Sequence, residues 1–201
     1  MKARLLVLGC FTLAACTPSP SSAPAPAATE STPANIKAAS TPSSVPASSA
    51  APAGADALVG QVAPDFTLPA HDGPAMHLSA LKGKPVVLYF YPKDETPGCT
   101  KEACSFRDAW QAIAKTGATL IGVSADTLDS HKAFAEHYKL PFHLVSDPDG
   151  AIGKLYGVPF EGYHKRQTIE IGADGNVKKV YRTVDVSQHA QQILDDLSHA
   201  S

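Results

Sequence analysis

Cys99 and Cys104 are the residues of this chain whose type and setting together could do chemistry. They lie in the stretch Tyr89-Phe90-Tyr91-Pro92-Lys93-Asp94-Glu95-Thr96-Pro97-Gly98-Cys99-Thr100-Lys101-Glu102-Ala103-Cys104. An apolar strand ends at Tyr91, and Pro92 cannot extend a hydrogen-bonded ladder. Thr96 is a good helix N-cap, and Pro97 suits the first helical position. Cys99 therefore falls in the first turn of a helix, beyond the carboxyl end of a central strand, where α/β sheets place their sites. Unpaired N–H groups and the positive end of the helix dipole favour a thiolate there. The chemistry expected is that of an activated, nucleophilic sulfur.

A pair of cysteines in an oxidising compartment commonly forms a structural bridge. The spacing argues otherwise. Five positions along an α-helix separate the two Cα atoms by roughly 8.6 Å, and a disulfide needs less than about 7 Å. A static bridge does not fit inside an intact helix. The pair reads as one that bonds only after the helix opens, which is redox cycling.

The elements that must hold this stretch can be traced from apolar patterning. Pro64 to Leu68 and the Gly73-Pro74 turn predict an N-terminal β-hairpin. Pro85 to Tyr91 is an unbroken apolar run of strand length and reads as a fully buried strand. Helical spacing runs from Pro97 to Lys115, with Ala103, Phe106, Trp110 and Ile113 on one side. Ala118 to Val123 is a second buried strand and Leu128 to Tyr138 an amphipathic helix. Phe142 to Val145 is a short strand, Ala151 to Tyr156 a short helix. Gln167 to Ile171 and Val177 to Thr183 flank Ala173-Asp174-Gly175-Asn176 as an antiparallel hairpin. Ser187 to His199 is a closing helix with Ser187 as its cap. A βαβ unit requires a parallel pair and the late hairpin an antiparallel one, so a mixed sheet with helices on both faces is expected.

The string Pro92-x-x-x-Thr96-x-x-Cys99 resembles the peroxiredoxin signature. YPKDETPGCTKEAC is similar to the bacterioferritin comigratory protein (PrxQ) branch, and the five-residue Cys spacing is specific to it. The likeness runs through Asp65-Phe66, Phe106-Arg107-Asp108, Val123-Ser124, Ser146-Asp147 and Asp174-Gly175. It implies a thioredoxin-like fold and a thiol-dependent peroxidase. By it, Cys99 is the peroxidatic nucleophile and Cys104 the resolving thiol. Thr96 would hydrogen-bond the thiolate and the peroxide, Pro92 would shield the pocket, and Arg166 would stabilise the thiolate and the polarised peroxide. The partners implied are a hydroperoxide and a thioredoxin-like reductant, with no cofactor and a monomeric chain. The late strand departs from the family pattern. Glu170 stands where an apolar residue is common and Gly172 where Asp is.

The N-terminus reads as an address. Lys2 and Arg4 precede the apolar stretch Leu5 to Ala15, too short to span a bilayer comfortably. Leu13-Ala14-Ala15-Cys16 resembles the bacterial lipoprotein signal, which implies cleavage after residue 15 and lipidation of Cys16. Thr17, rather than Asp, after that Cys points to the outer membrane if the host is Gram-negative. The expectation is a lipid-anchored protein of the cell envelope. Of residues 17–57, 34 of 41 are Ala, Ser, Pro or Thr. Such a stretch cannot bury enough surface to offset its ordering entropy and reads as a disordered tether. The expected organisation is a signal over 1–15, a lipidated Cys and linker over 16–57, and one folded domain over 58–201.

A net charge of −2 gives no electrostatic reason to expect nucleic acid. Past the N-terminus no run of about 20 apolar residues occurs. The eight His lack metal-ligand spacing and read mostly as solvated surface. A Gly-rich phosphate loop, a dinucleotide fingerprint and a zinc pair are all missing. Two other functions stay open at this point. One is a thioredoxin-like disulfide reductase of the envelope, which uses Cys-x-x-Cys. The other is a Sco-type copper chaperone, which uses Cys-x-x-x-Cys.

Overall fold

The computed structural model of the chain describes residues 55–199. The expected signal over 1–15, Cys16 and the linker up to residue 54 lie outside the described residues. A 3-10 turn at Ala55–Leu58 opens the described part, with Leu58 buried. Strand β1 (Thr67–Leu68) pairs antiparallel with β2 (Met76–His77), which is the expected hairpin reduced to two residue pairs.

The main sheet holds β3 (Val86–Phe90), β4 (Thr119–Ser124), β5 (His143–Ser146), β6 (Gln167–Ile171) and β7 (Val177–Tyr181). Their order is β5-β4-β3-β6-β7. β3, β4 and β5 run parallel, whereas β6 is antiparallel to both β3 and β7. The helices are α1 (Pro97–Lys115), α2 (Leu128–Tyr138), α3 (Ala151–Leu155) and α4 (His189–His199). This is the mixed sheet the patterning predicted.

Two successive crossovers stepping the same way across the sheet place their helices on one face when both are right-handed. α1 and α2 do share a face, with α4, over Val87, Tyr89, Leu120 and Leu144. The other face, carrying Val86, Leu88, Phe90 and Val123, is covered by α3 and the N-terminal segment through Ile152, Phe66 and Leu68. β3 is therefore buried on both sides, which explains its unbroken apolar sequence. Gly122 lets the layers close. A Cβ there would stand 2.7 Å from both the Tyr89 ring and Leu144. The Tyr89 ring occupies that space and packs 5.0 Å from Phe106 of α1.

Two expectations are corrected. α4 begins at His189, not Ser187. The capping carboxylate upstream is Asp185, which accepts from both the backbone N–H and the hydroxyl of Ser187. His131, His164 and His189 are wholly buried rather than solvated. Each sits against a polar partner distant in sequence, Asp94, Asp147 and Thr168 respectively. Sequence spacing carries no trace of such pairings.

Candidate active site

The site is built where β3 ends and β6 begins. The antiparallel register pairs Phe90 with Gln167, so Arg166 lies level with the chain leaving β3. From Phe90 that chain runs through Tyr91, whose N–H donates to the Val123 carbonyl, then through a turn in which Glu95 takes φ 59°. Thr96 has the extended backbone of an N-cap (φ −80°, ψ 146°), and α1 starts at Pro97 as expected. Its carbonyl accepts from the Thr100 N–H at 2.8 Å.

Cys99 is 2% exposed, and the Arg166 Nη2 donates to its Sγ at 3.0 Å. The Nη1 of the same guanidinium donates to Glu102 Oε2. One rigid fork thus bridges a sulfur and a carboxylate, a task suited to Arg rather than Lys. Glu102 sits three residues beyond Cys99 on the same face of α1 and is 1% exposed. Burial pushes its carboxyl up to about 7, while the Arg166 charge and hydrogen bond pull it down. Desolvation opposes the charge of Arg166, but Glu102 and Cys99 outweigh it and raise its pKa above the ordinary value.

The sequence-derived residues fall as follows. Cys99 and Arg166 meet. Cys104 is half-buried further along the unbroken α1, and both thiols are free. Pro92 is half-buried at the strand end. Thr96 occupies the cap position, but its hydroxyl donates to the Lys93 carbonyl at 2.9 Å and makes neither the expected cap bond nor a bond to the sulfur. That bond closes the turn leading into the helix. Glu102 was missed, although its three-residue offset from Cys99 on a predicted helix marked it as a neighbour. Also missed was the buried support beneath the turn, Asp94 with Tyr91, Ser130 and His131. Among the described residues no group of three His, Cys, Asp or Glu is placed to hold a metal ion.

A sulfur under an Arg donor at a helix start, with a second thiol on the same helix, favours two-electron chemistry at sulfur on a thioredoxin-like scaffold. Comparison with known proteins supplies the family. Residues 59–180 match the model of the AhpC/TSA family. The chain is 43% identical over 148 residues to the bcp protein of Coxiella burnetii, assigned to the peroxiredoxins, covering 97% of that protein and 69% of this one. It is 52% identical over 125 residues to chloroplastic peroxiredoxin Q of Triticum aestivum, covering 58% of that protein and 61% of this one. The structure of the bacterioferritin comigratory protein of Xanthomonas campestris, described for its alkyl peroxide reduction activity, superposes with a TM-score of 0.63 at 35% identity. That match covers 68% of this chain and 92% of the other. The chain belongs to the AhpC/TSA family, in its peroxiredoxin Q branch. It is a thiol peroxidase, and the reductase and copper-chaperone alternatives give way to that reading.

Proposed function

We propose that Cys99 is the peroxidatic sulfur and Cys104 its resolving partner. The observation that carries this is the 3.0 Å hydrogen bond from Arg166 to the Cys99 sulfur, on a helix that also bears a second free thiol. The thiolate of Cys99 attacks the terminal oxygen of a hydroperoxide. The O–O bond breaks, the alkoxide leaves as an alcohol on taking a proton, and Cys99 becomes a sulfenic acid. The Cys104 thiol then attacks that sulfur, its proton leaving with the hydroxyl group as water, and an intramolecular disulfide results. A dithiol reductant of the thioredoxin type returns two electrons and two protons by exchange. Arg166 supports the first step by holding positive charge where the thiolate sits and where charge develops on the oxygens. Pro92 shields the pocket, and Thr96 turns its hydroxyl from Lys93 toward the peroxide when substrate enters.

Separation of the two sulfurs gives the test. Cys99→Ser abolishes turnover, whereas Cys104→Ser stops after one oxidation, adding a single oxygen by mass before Cys99 advances to sulfinic acid in excess peroxide. Steady turnover by Cys104→Ser with a thioredoxin reductant would contradict its role.

The N-terminal sequence supports a further reading, a domain lipidated at Cys16 and held in the cell envelope on a Pro/Ala/Ser-rich tether; the family resemblance supports a monomer. Cys16→Ser then releases the full chain from the membrane fraction of a bacterial host. Retention of that variant on membranes would count against it.

A further inference from the structure

The turn between β3 and α1 rests on a buried polar cluster with no part in the sulfur chemistry just described. Asp94 is 4% exposed, and His131 of α2 is wholly buried. Asp94 Oδ1 accepts from the Tyr91 hydroxyl at 2.8 Å. Its Oδ2 accepts from the Ser130 hydroxyl at 2.7 Å and lies 2.9 Å from His131 Nδ1. The Asp94 backbone N–H donates to Asp126 Oδ2 at 2.9 Å. A residue in the middle of the turn is thus fastened to the start of α2 from three sides.

The ring is held at both of its nitrogens. Nδ1 faces the Asp94 carboxylate, and Nε2 lies 3.2 Å from the Val145 carbonyl. Both neighbours are acceptors. The one hydroxyl nearby, that of Tyr91, stands 3.4 Å from Nδ1 and gives its proton to Asp94. From the end of β3 the titratable group facing the ring is Tyr91, from the turn it is Asp94, and from β5 only a backbone carbonyl. Burial pushes the Tyr91 phenol well above its ordinary range, which keeps it a donor. Against the penalty of burial, the hydrogen bonds of His131, Ser130 and Tyr91 hold the Asp94 carboxyl below its ordinary value.

We infer that His131 and Asp94 form a positioning pair for peroxide reduction at Cys99. The pair clamps the turn whose next residues are Glu95, strained at φ 59°, and Thr96, the N-cap of α1. Its effect reaches the sulfur through the direction in which α1 sets out, so that Cys99 meets Arg166 and an incoming peroxide in line. Attack on the O–O bond demands that alignment, and misplacement by about 1 Å costs on the order of 100-fold. Alkylation by iodoacetamide needs no such pocket. The inference rests on Cys99 being the peroxidatic sulfur.

The test compares two rates on the reduced full chain, oxidation by hydrogen peroxide in a single turnover and alkylation of Cys99 by iodoacetamide. His131→Leu and Asp94→Asn are expected to slow oxidation at least about tenfold and to leave alkylation within about twofold. His131→Asn, which keeps one donor toward Asp94, recovers part of the loss. Equal losses in both rates would reduce the pair to a structural role and overturn the inference. Should His131→Leu fail to fold, His131→Asn and Asp94→Asn carry the comparison. Cys99→Ser run in parallel separates the two claims, because undiminished peroxide consumption by that variant rejects the sulfur assignment itself.

Discussion

Arg166 touches Cys99 with one nitrogen and Glu102 with another, so its position depends on both. Arg166→Ala removes the charge and the donor, and the peroxide rate constant is expected to fall by about 100-fold or more, the range seen when one preorganised donor is deleted. Arg166→Lys recovers little, since an ammonium cannot span sulfur and carboxylate together. Glu102→Gln keeps an acceptor for the guanidinium and costs less than Glu102→Ala, which frees it to swing. Stopped-flow rates for the four variants check this order, and Glu102→Ala as fast as wild type would remove Glu102 from the site. Part of this scale is legible in sequence. The Cys99 setting follows from a strand stop, a cap and a Pro in one local string. Arg166 came from resemblance, because a lone Arg beside Lys165 and His164 reads as surface. The Asp94–His131 contact, closed across 37 residues, leaves no local signal.

Helix α1 carries both sulfurs and must break to join them. It is continuous from Pro97 to Lys115 in the reduced chain. Its apolar side is well anchored. Phe106 is fully buried and lies 5.0 Å from the Tyr89 ring, 6.5 Å from Phe142 and 5.6 Å from His189 of α4. Withdrawing such a side chain costs about 2–3 kcal/mol, more than the few backbone hydrogen bonds lost at about 1 kcal/mol each. If Cys99 and Cys104 join as proposed, the disulfide must offset that cost, and the oxidised state is expected to open the first turns. Amide exchange between Cys99 and Trp110 is expected to accelerate on oxidation, and Trp110, 6.0 Å from the Phe142 ring, to change its fluorescence. Unchanged protection in a confirmed disulfide form would contradict the opening. The bounds of α1 and α2 were readable because both show a 3.6-residue apolar period. The start of α4 was not, because Asp185 competes with Ser187 for the capping role.

At the scale of the whole domain, the sheet takes an unusual load at Glu170. This carboxyl, 6% exposed on β6, is pushed up to about 8, chiefly by burial and further by Asp196 of α4. An unfolded Glu titrates near about 4.3. With the folded value raised, the native state holds the proton more tightly than the unfolded one. Its stabilising effect is complete below about pH 4 and is lost as pH rises through about 8. Glu170→Gln removes that loss while leaving a donor for Asp196. The variant should gain more than about 1 kcal/mol over wild type at pH 8.5, several degrees in Tm, and little at about pH 4. A gap of the same size at both pH values would reject the cause. The departure at Glu170 was visible in sequence as a Glu in an apolar strand. Its consequence was not, because Asp196 arrives from a helix 26 positions later.

The domain brings the Cys99 sulfur and the Arg166 guanidinium together beyond the carboxyl end of β3, with Cys104 five residues further along α1. The direct measurement of that account is stopped-flow mixing of the fully reduced chain with a single equivalent of hydrogen peroxide, followed by Trp110 fluorescence and by mass spectrometry of the quenched product. The expected result is rapid loss of one peroxide per chain, loss of two hydrogen mass units, and a Cys99–Cys104 disulfide. Persistence of both free thiols after the peroxide has been consumed, or equal consumption by Cys99→Ser, would contradict it.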